Sequence, residues 1–537
     1  MSQQNNSRKV FLYGVGVVAP GSSNLSEFLS FVDQGKSALT PKKSLYNAFL
    51  AGTPKFDFSV YKPWLEERHG PKRYPLLVEK SGDLIKYGAG SLIQAISTTP
   101  GLEHAISQID PKLQIQYSTG LGDLPIIHKS ARELDKSLFN WNSFWSTPQR
   151  NKALAQHLNG EKKDSNCPPH FESFPVDTQE RYEAVQTWNS YWAQKSHLLQ
   201  EYLAKLTKIE SEGVNGPDIE NAKLSLIRNK IKARNELATE YGYPSPPWES
   251  VSSNLLWNIP NLAASQASML LNLHGEALGV LGACASFGTL VNNAFRDISS
   301  GQVDVSIIGA VDASPSDELI SAFYGGRLAV MGETSGVPFC DLRGTHISGG
   351  ACTWVLACEE TMKKFNVPHM GIEILGAGVS SDAEHIITPS KEGPKLAMKR
   401  AFAAADIQKQ DIQAWDMHAT GTPGDWNEFM LIQDFVPDNA IISARKGLFG
   451  HGMAVCGGWE LTAQLLGAKK TSHNTIVLPP TGIEPARLNP KIASLNRTIL
   501  LDKPIEIAMP KDGLVCGKLG MGVGGVSSCV IAKILGE

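Results

Sequence analysis

Gly279-Val280-Leu281-Gly282-Ala283-Cys284-Ala285-Ser286 reads as a short apolar strand that runs through small residues into a helix reaching about Ser299. Val303-Asp304-Val305-Ser306-Ile307-Ile308-Gly309-Ala310 follows as a second buried strand. Strand, helix and strand in that order set the class as α/β. Upstream, residues 10–18 read as a buried first strand, 80–96 as a helix and 113–118 as a strand entering Gly120-Leu121-Gly122. Downstream, 351–357, 371–379 and 414–418 read as strands, and 394–405 and 457–469 as helices. A Gly-rich turn and a final strand occupy 514–534. The two halves repeat one style, which points to a coarse duplication.

Between about 130 and 248 the composition becomes polar, charged and rich in Trp and Tyr. Tyr182, Val185, Trp188, Trp192, Leu199, Leu203 and Leu206 recur at helical spacing, Gly213 and Gly216-Pro217 interrupt them, and Ile219 to Leu237 continue. The simplest reading is a two-helix hairpin inserted into the α/β body. So apolar a stripe must pack on its own return helix, on the α/β body or on a partner; we expect the insertion to extend a dimer interface or form a partner-docking surface without supplying a catalytic group, the alternative being an independent decoration.

The chain of 537 residues carries 50 basic and 53 acidic side chains, net charge -3, which argues against a nucleic-acid-coating protein. No apolar run is long enough to span a membrane, and no export signal is read at the N-terminus. The eight cysteines have no CxxC pair, so free thiols in a reducing cytoplasm are expected.

Three short segments carry chemistry. Cys284 sits at the first turn of a helix, where the dipole favours thiolate and small neighbours admit a thioester. The alternative is a buried, inert cysteine. His418 opens His418-Ala419-Thr420-Gly421-Thr422, and Lys446 precedes Gly450-His451 by a fixed short step. Either histidine read alone fits a core residue with satisfied ring nitrogens. Zinc ligation is disfavoured, since no second His or Cys lies at ligand spacing. Lys446 and Glu460 form either a solvated pair or a buried one that sets the local field. Asp425 and Glu428 fit helix-start carboxylates.

Taken together these motifs resemble the β-ketoacyl-acyl-carrier-protein synthases of the thiolase superfamily. Cys284 matches the nucleophile in the A-C-A/T-S setting. His418 matches the first histidine of H-G-T-x-T, with Ala419 in place of Gly. Asp425 and Glu428 match the following D-x-x-E, on a link one residue shorter. Lys446 and His451 match K-x-x-x-G-H, and Glu460 the glutamate nine positions on. Ser380 to His385 and Leu396 to Lys399 also resemble the elongating enzymes. Two stretches depart: Arg343 to Cys352 replaces the family's R-D-G-F-V-x-G-E-G-A-G, and Val523 stands where the family has a gating phenylalanine.

The resemblance implies a five-layer αβαβα thiolase-like fold of two duplicated halves, 1–335 with the 130–248 insertion and the nucleophile, and 336–537 with both histidines. It implies decarboxylative Claisen condensation of a Cys284-bound acyl chain with malonyl-carrier protein, in fatty acid or polyketide and polyene synthesis. The acyl and malonyl groups arrive on the phosphopantetheine of an acyl carrier protein. The backbone amides of Cys284 and Val523 would form the oxyanion hole, Thr420 and Thr422 would contact pantetheine, and Leu121 would limit the acyl tunnel. A homodimer is implied, with no metal and no organic cofactor. Two other readings stand beside it. One is a non-decarboxylating thiolase-type enzyme on CoA esters, with Cys516 as the second cysteine. The other is a non-catalytic, chain-length-determining partner subunit, which typically lacks the nucleophile present here.

Overall fold

Eleven strands form one mixed sheet in the computed structural model, which describes residues 8–536 except 111, 215–218, 244, 333–335, 385 and 387–389. Gly216, Pro217 and His385, noted above, lie outside the described residues. In chain order the strands are β1 (Val10–Val18), β2 (Leu113–Ser118), β3 (Glu276–Gly279), β4 (Val305–Asp312), β5 (Gly350–Cys358), β6 (Ile372–Ser381), β7 (Ala414–Asp416), β8 (Ile441–Ser443), β9 (Thr498–Ile499), β10 (Leu514–Gly522) and β11 (Val526–Ile534). Their order across the sheet is β9-β8-β7-β10-β11-β6-β1-β5-β4-β2-β3.

Among the described residues, only Val10 opposite Ile374 and Phe11 opposite Glu373 join β1 to β6. By contrast β1 pairs with β5 from Val10 opposite Cys358 to Val18 opposite Ala351. The sheet is therefore two halves hinged at a narrow seam. Alternation along the strands shows what each half faces. On β4, Val305 and Ile307 join the core under the Asp83–Ser97 helix, while Ile308 and Ala310 face the core of the Ser286–Ser299 and Cys456–Leu465 helices. On β11, Val530 and Ala532 reach that same central core, while Cys529 and Ile531 pack with the Glu392–Ala405 and Gly424–Ile432 helices. Helix, half-sheet, shared helices, half-sheet and helix make the five layers expected from the sequence.

Residues 126–255 form a separate compact unit. It is not the expected two-helix hairpin. Helices span Leu124–Trp145, Lys152–Leu158, Gln179–Gln194, His197–Glu210 and Ile219–Tyr241. The continuous stripe from Tyr182 to Leu206 is broken at Lys195-Ser196, where the Ser196 side chain accepts from the Leu199 amide and caps a new helix. The spacing hid that break because both helices place their apolar faces on the unit's own cores, built on Trp141, Trp145 and Tyr202, and on Leu154, Trp188 and Trp192. A second correction concerns β3, which ends at Gly279 instead of running to Ala283. Val280 still donates its amide to the Tyr117 carbonyl, but the chain then turns into the Ala283–Ala285 single turn.

Candidate active site

Small residues place the cysteine. Ala283 has φ 47°, a left-handed conformation that costs a non-glycine residue about 1–3 kcal/mol when held by its surroundings. It turns the chain so that Cys284 stands in the single turn before the Ser286–Ser299 helix. The end of β10 comes against this turn. A Cβ on Gly522 would lie 2.7 Å from the Gly282 carbonyl oxygen and 3.2 Å from the Cys284 nitrogen, so only glycine fits. The next residue, Val523, and Cys284 itself both direct backbone N–H groups at the thiol.

The helix-start expectation for Cys284 needs correcting. Burial pushes the thiol up to about 11, and Asp312 adds to this; Lys446 and the two amides pull the other way without prevailing. Desolvation of a thiolate outweighs the partial charge of a helix terminus here. Cys284 thus rests as a thiol.

His418 follows β7, and its backbone is held on both sides. Its N–H donates to Glu428 Oε1 at 2.7 Å, the Ala419 N–H donates to Oε2 at 2.9 Å, and its carbonyl accepts from Lys446 Nζ. Asp425 accepts from the amides of Thr420 (2.9 Å), Gly421 (3.1 Å) and Phe339 (3.0 Å), which fixes the Thr420–Thr422 turn. Burial raises Asp425 to about 6 and Glu428 to about 7. Asp425 sits in the first turn of the Gly424–Ile432 helix, as read from the sequence, while Glu428 lies beyond it, and both act as acceptors that shape the histidine loop.

His451 lies across from His418, ring centroids 5.8 Å apart at 84°. The Met453 amide donates to His451 Nδ1 at 3.0 Å. Nδ1 must therefore accept, which assigns the proton of the neutral ring to Nε2. Burial first, and then Lys446, hold the His451 imidazole down to about 3. His418 is pushed well below its ordinary value by burial, Lys446 and His451. Both rings are neutral at pH 7.

Lys446 and Glu460 form a buried pair at 2.6 Å, which decides between the two readings given to them. Cys284, His418, His451, Thr420, Thr422, Asp425, Glu428 and Val523 line one narrow pocket of about 120 Å³, with Phe323, Leu328 and Met521 as apolar wall. Leu121 does not join it. It lines a separate cavity with Pro125, Leu319 and Met453. At Val523 the wall is aliphatic and 39% exposed, so no aromatic ring covers the thiol from that position. Cys516 is buried on β10, where its thiol is raised by burial to about 12, and it does not line the pocket. Among the described residues no cluster of His, Cys, Asp and Glu could hold a metal ion.

Three groups escaped the sequence reading. Asp312, closing β4, accepts from the Gly120 amide at 2.8 Å and the Ala454 amide at 2.9 Å, and ties the segments after β2 and before the Cys456–Leu465 helix together. Burial raises it to about 7. Asp416 and Lys518 are buried on paired strands β7 and β10, directly opposite each other. A lone acid or lysine in an otherwise apolar strand was the available signal.

The pocket predicts a pH effect on stability. The unfolded His451 imidazole protonates near pH 6.5, while the folded one stays neutral to about 3. Between those values the unfolded state binds the extra proton, so this residue withdraws stability as pH falls. The raised Glu428 and Asp312 act oppositely, adding stability below about 7 and losing it as pH rises through that value. His451→Gln removes the first contribution alone. Relative to wild type, the variant should gain about 2 kcal/mol between pH 7 and pH 5 in urea unfolding. An unchanged difference at the two pH values would contradict the assignment.

A buried thiol, two neutral imidazoles and a buried lysine–glutamate pair thus come together on the five-layer αβαβα body. Two stretches of the chain resemble the β-ketoacyl synthase family. Residues 227–357 match the family model "Beta-ketoacyl synthase, N-terminal domain", and residues 372–478 match "Beta-ketoacyl synthase, C-terminal domain". Nodulation protein E of Rhizobium leguminosarum bv. trifolii is 29% identical over 228 residues, 42% of this chain and 55% of that protein. The 3-oxoacyl-[acyl-carrier-protein] synthase 2 of Staphylococcus aureus is 30% identical over 221 residues, 39% of this chain and 55% of that protein. The match thus spans about half the length of these relatives. A solved type II PKS acyl-carrier protein in complex with its ketosynthase aligns over 99% of this chain and 100% of that one, with TM-score 0.62 and 15% identity, and shares the fold.

Proposed function

We propose that the protein is a catalytic β-ketoacyl synthase that condenses a Cys284-bound acyl chain with malonyl-carrier protein. The observation that carries this reading is the His451 ring. Its Nδ1 is occupied as an acceptor, so its Nε2–H remains as a donor in the pocket that holds Cys284 and His418. A neutral donor suits an enolate oxygen and does not suit a permanent cation-binding role.

In the first half-reaction Cys284 Sγ attacks the acyl thioester carbonyl. The thiol proton leaves as the bond forms, and the carrier pantetheine thiol departs carrying a proton. The Cys284 and Val523 amides that converge on Sγ are positioned to receive the acyl carbonyl oxygen. In the second, the bond from the malonyl α-carbon to the carboxylate breaks and CO2 departs. Its electron pair forms an enolate, whose oxygen takes hydrogen bonds from His418 and His451. The enolate carbon then attacks the acyl carbonyl, and Cys284 leaves as the β-ketoacyl-carrier product forms. Thr420 and Thr422, whose hydroxyls lie 3.0 Å apart on the pocket wall, serve the pantetheine arm.

Two lines support an acyl carrier protein as partner and a second copy of this chain as the dimer mate. The ketosynthase of the solved type II complex is held with its carrier protein. Among the described residues strand β3 pairs only with β2, which leaves an edge flanked by exposed Leu278, Leu281 and Met269. Eight free cysteines fit a reducing cytoplasm.

Intact mass after incubation with a panel of acyl-carrier proteins tests the reading. The expected result is one acyl increment per chain, localised to Cys284. Acylation from CoA esters alone, with no transfer from any carrier protein, would favour the thiolase-type alternative.

A further inference from the structure

Five buried charges alternate in sign beside the pocket. Arg445 pairs with Asp416, Asp416 Oδ1 with Lys518 at 3.2 Å, Lys518 with Glu460 Oε2 at 2.8 Å, and Glu460 Oε1 with Lys446 at 2.6 Å. The row ends at the His418 carbonyl, which accepts from Lys446 Nζ. Lys518 also donates to the Met417 carbonyl at 3.1 Å, one residue before that histidine. Three cations face two carboxylates. All five are almost wholly buried, so solvent screens them little.

We propose that Lys518 is a positioning residue for Cys284: by sharing Glu460 with Lys446, it gives the buried row that ends beside the nucleophile's pocket a net positive charge. With Lys446 and Glu460 alone the pair would be neutral, and its field at the thiol would be small. Lys518 divides the charge of Glu460, and Arg445 meets Asp416, so the row as a whole keeps one net positive charge and ends beside the pocket. Burial alone would lower Lys518, but Glu460 and Asp416 overcome it and hold it protonated. Glu460 is held ionised, against burial, by Lys446 and Lys518.

The other groups near the thiol do not supply this charge. Asp312 opposes it directly, and Asp425 and Glu428 are acids. His418 and His451 are neutral, and Cys456, whose thiol contacts the Cys284 carbonyl, is protonated. The meaning of Lys518 for catalysis rests on the condensation reading above; its test does not, because it reads the thiol itself.

The experiment is the rate of iodoacetamide alkylation at Cys284, resolved by peptide mass, from pH 7 to pH 10. Wild type is compared with Lys518→Met, Glu460→Gln and the double variant, using half-exposed Cys167 as internal reference. Lys518→Met should slow Cys284 about tenfold at a given pH, the size expected for one buried unit charge at an effective dielectric of about 20. Glu460→Gln should speed it. The double variant should return near wild type, since one charge of each sign is lost. A purely structural role predicts the reverse for Lys518→Met, because a loosened pocket admits reagent faster at every pH. If Lys518→Met does not fold, the comparison of Glu460→Gln with the double variant reads the same charge. Equal rates in that comparison, or an unchanged or faster rate in folded Lys518→Met, would overturn the proposal.

Discussion

Replacing Cys284 with Gln is expected to abolish condensation, by at least about 10⁴-fold, while malonyl-carrier protein still loses CO2. The two outcomes separate because the two half-reactions use different groups. The acyl chain needs the thiol, and among the described residues no second cysteine lines the pocket. Decarboxylation needs donors for the enolate oxygen, and the His451 Nε2–H does not depend on Cys284, because its tautomer is set by the Met453 amide. The amide side chain of Gln resembles an acylated cysteine in shape and leaves the Cys284 and Val523 amides with an oxygen to bind. Trapping labelled CO2 from malonyl-carrier protein, alongside product mass, measures both. Loss of CO2 release together with condensation would mean that the thiol, and not the imidazoles, drives decarboxylation.

The complementary result is expected for His418→Ala and His451→Ala. Each should retain much of the acyl transfer to Cys284 and lose malonyl decarboxylation by roughly 10²–10³-fold, the range found when one oxyanion donor is removed. The effect should be larger in His451→Ala if the ring with the assigned tautomer is the stronger donor. Intact mass follows acylation and CO2 release follows the second step. Wild-type decarboxylation in both variants would refute the roles given to the histidines. His451→Asn separates a lost donor from a lost shape: its amide can donate in place of Nε2–H, and partial recovery is expected.

The residues that were legible in the sequence share one property. Cys284, His418, Lys446 and His451 stand in short segments where small neighbours and tight turns bind the chemistry to local spacing. Asp425 and Glu428 read only as carboxylates near a helix start; their acceptor roles toward the histidine loop appear in the folded chain. Lys518 could not be read this way. Its meaning comes from Asp416 on the neighbouring strand and Glu460 on a packed helix, and such partners are brought together only by register across the sheet. The thiol's protonation was misjudged for a similar reason. A helix start is a local feature, whereas the burial that opposes it is supplied by distant segments such as β10. The Tyr182 to Leu206 stripe shows the remaining limit: periodicity reports which faces are apolar, and a well-capped break between two helices preserves it.

The sheet order carries a consequence for how this chain is made. β11 stands between β10 and β6 in the middle of the second half-sheet, yet it follows every site residue in the sequence. Its partner β6 begins some hundred and fifty residues earlier, and β1 waits for β5 across more than three hundred. Loops of that size close slowly, and partners that have not met leave apolar edges bare. On the ribosome, Cys284, His418 and His451 would all emerge before the strand that backs the nucleophile's turn, where Ser528 donates to the Ala285 carbonyl. The nascent protein is therefore expected to depend on chaperones until β11 is released, and to gain thiol protection from alkylation in one late step.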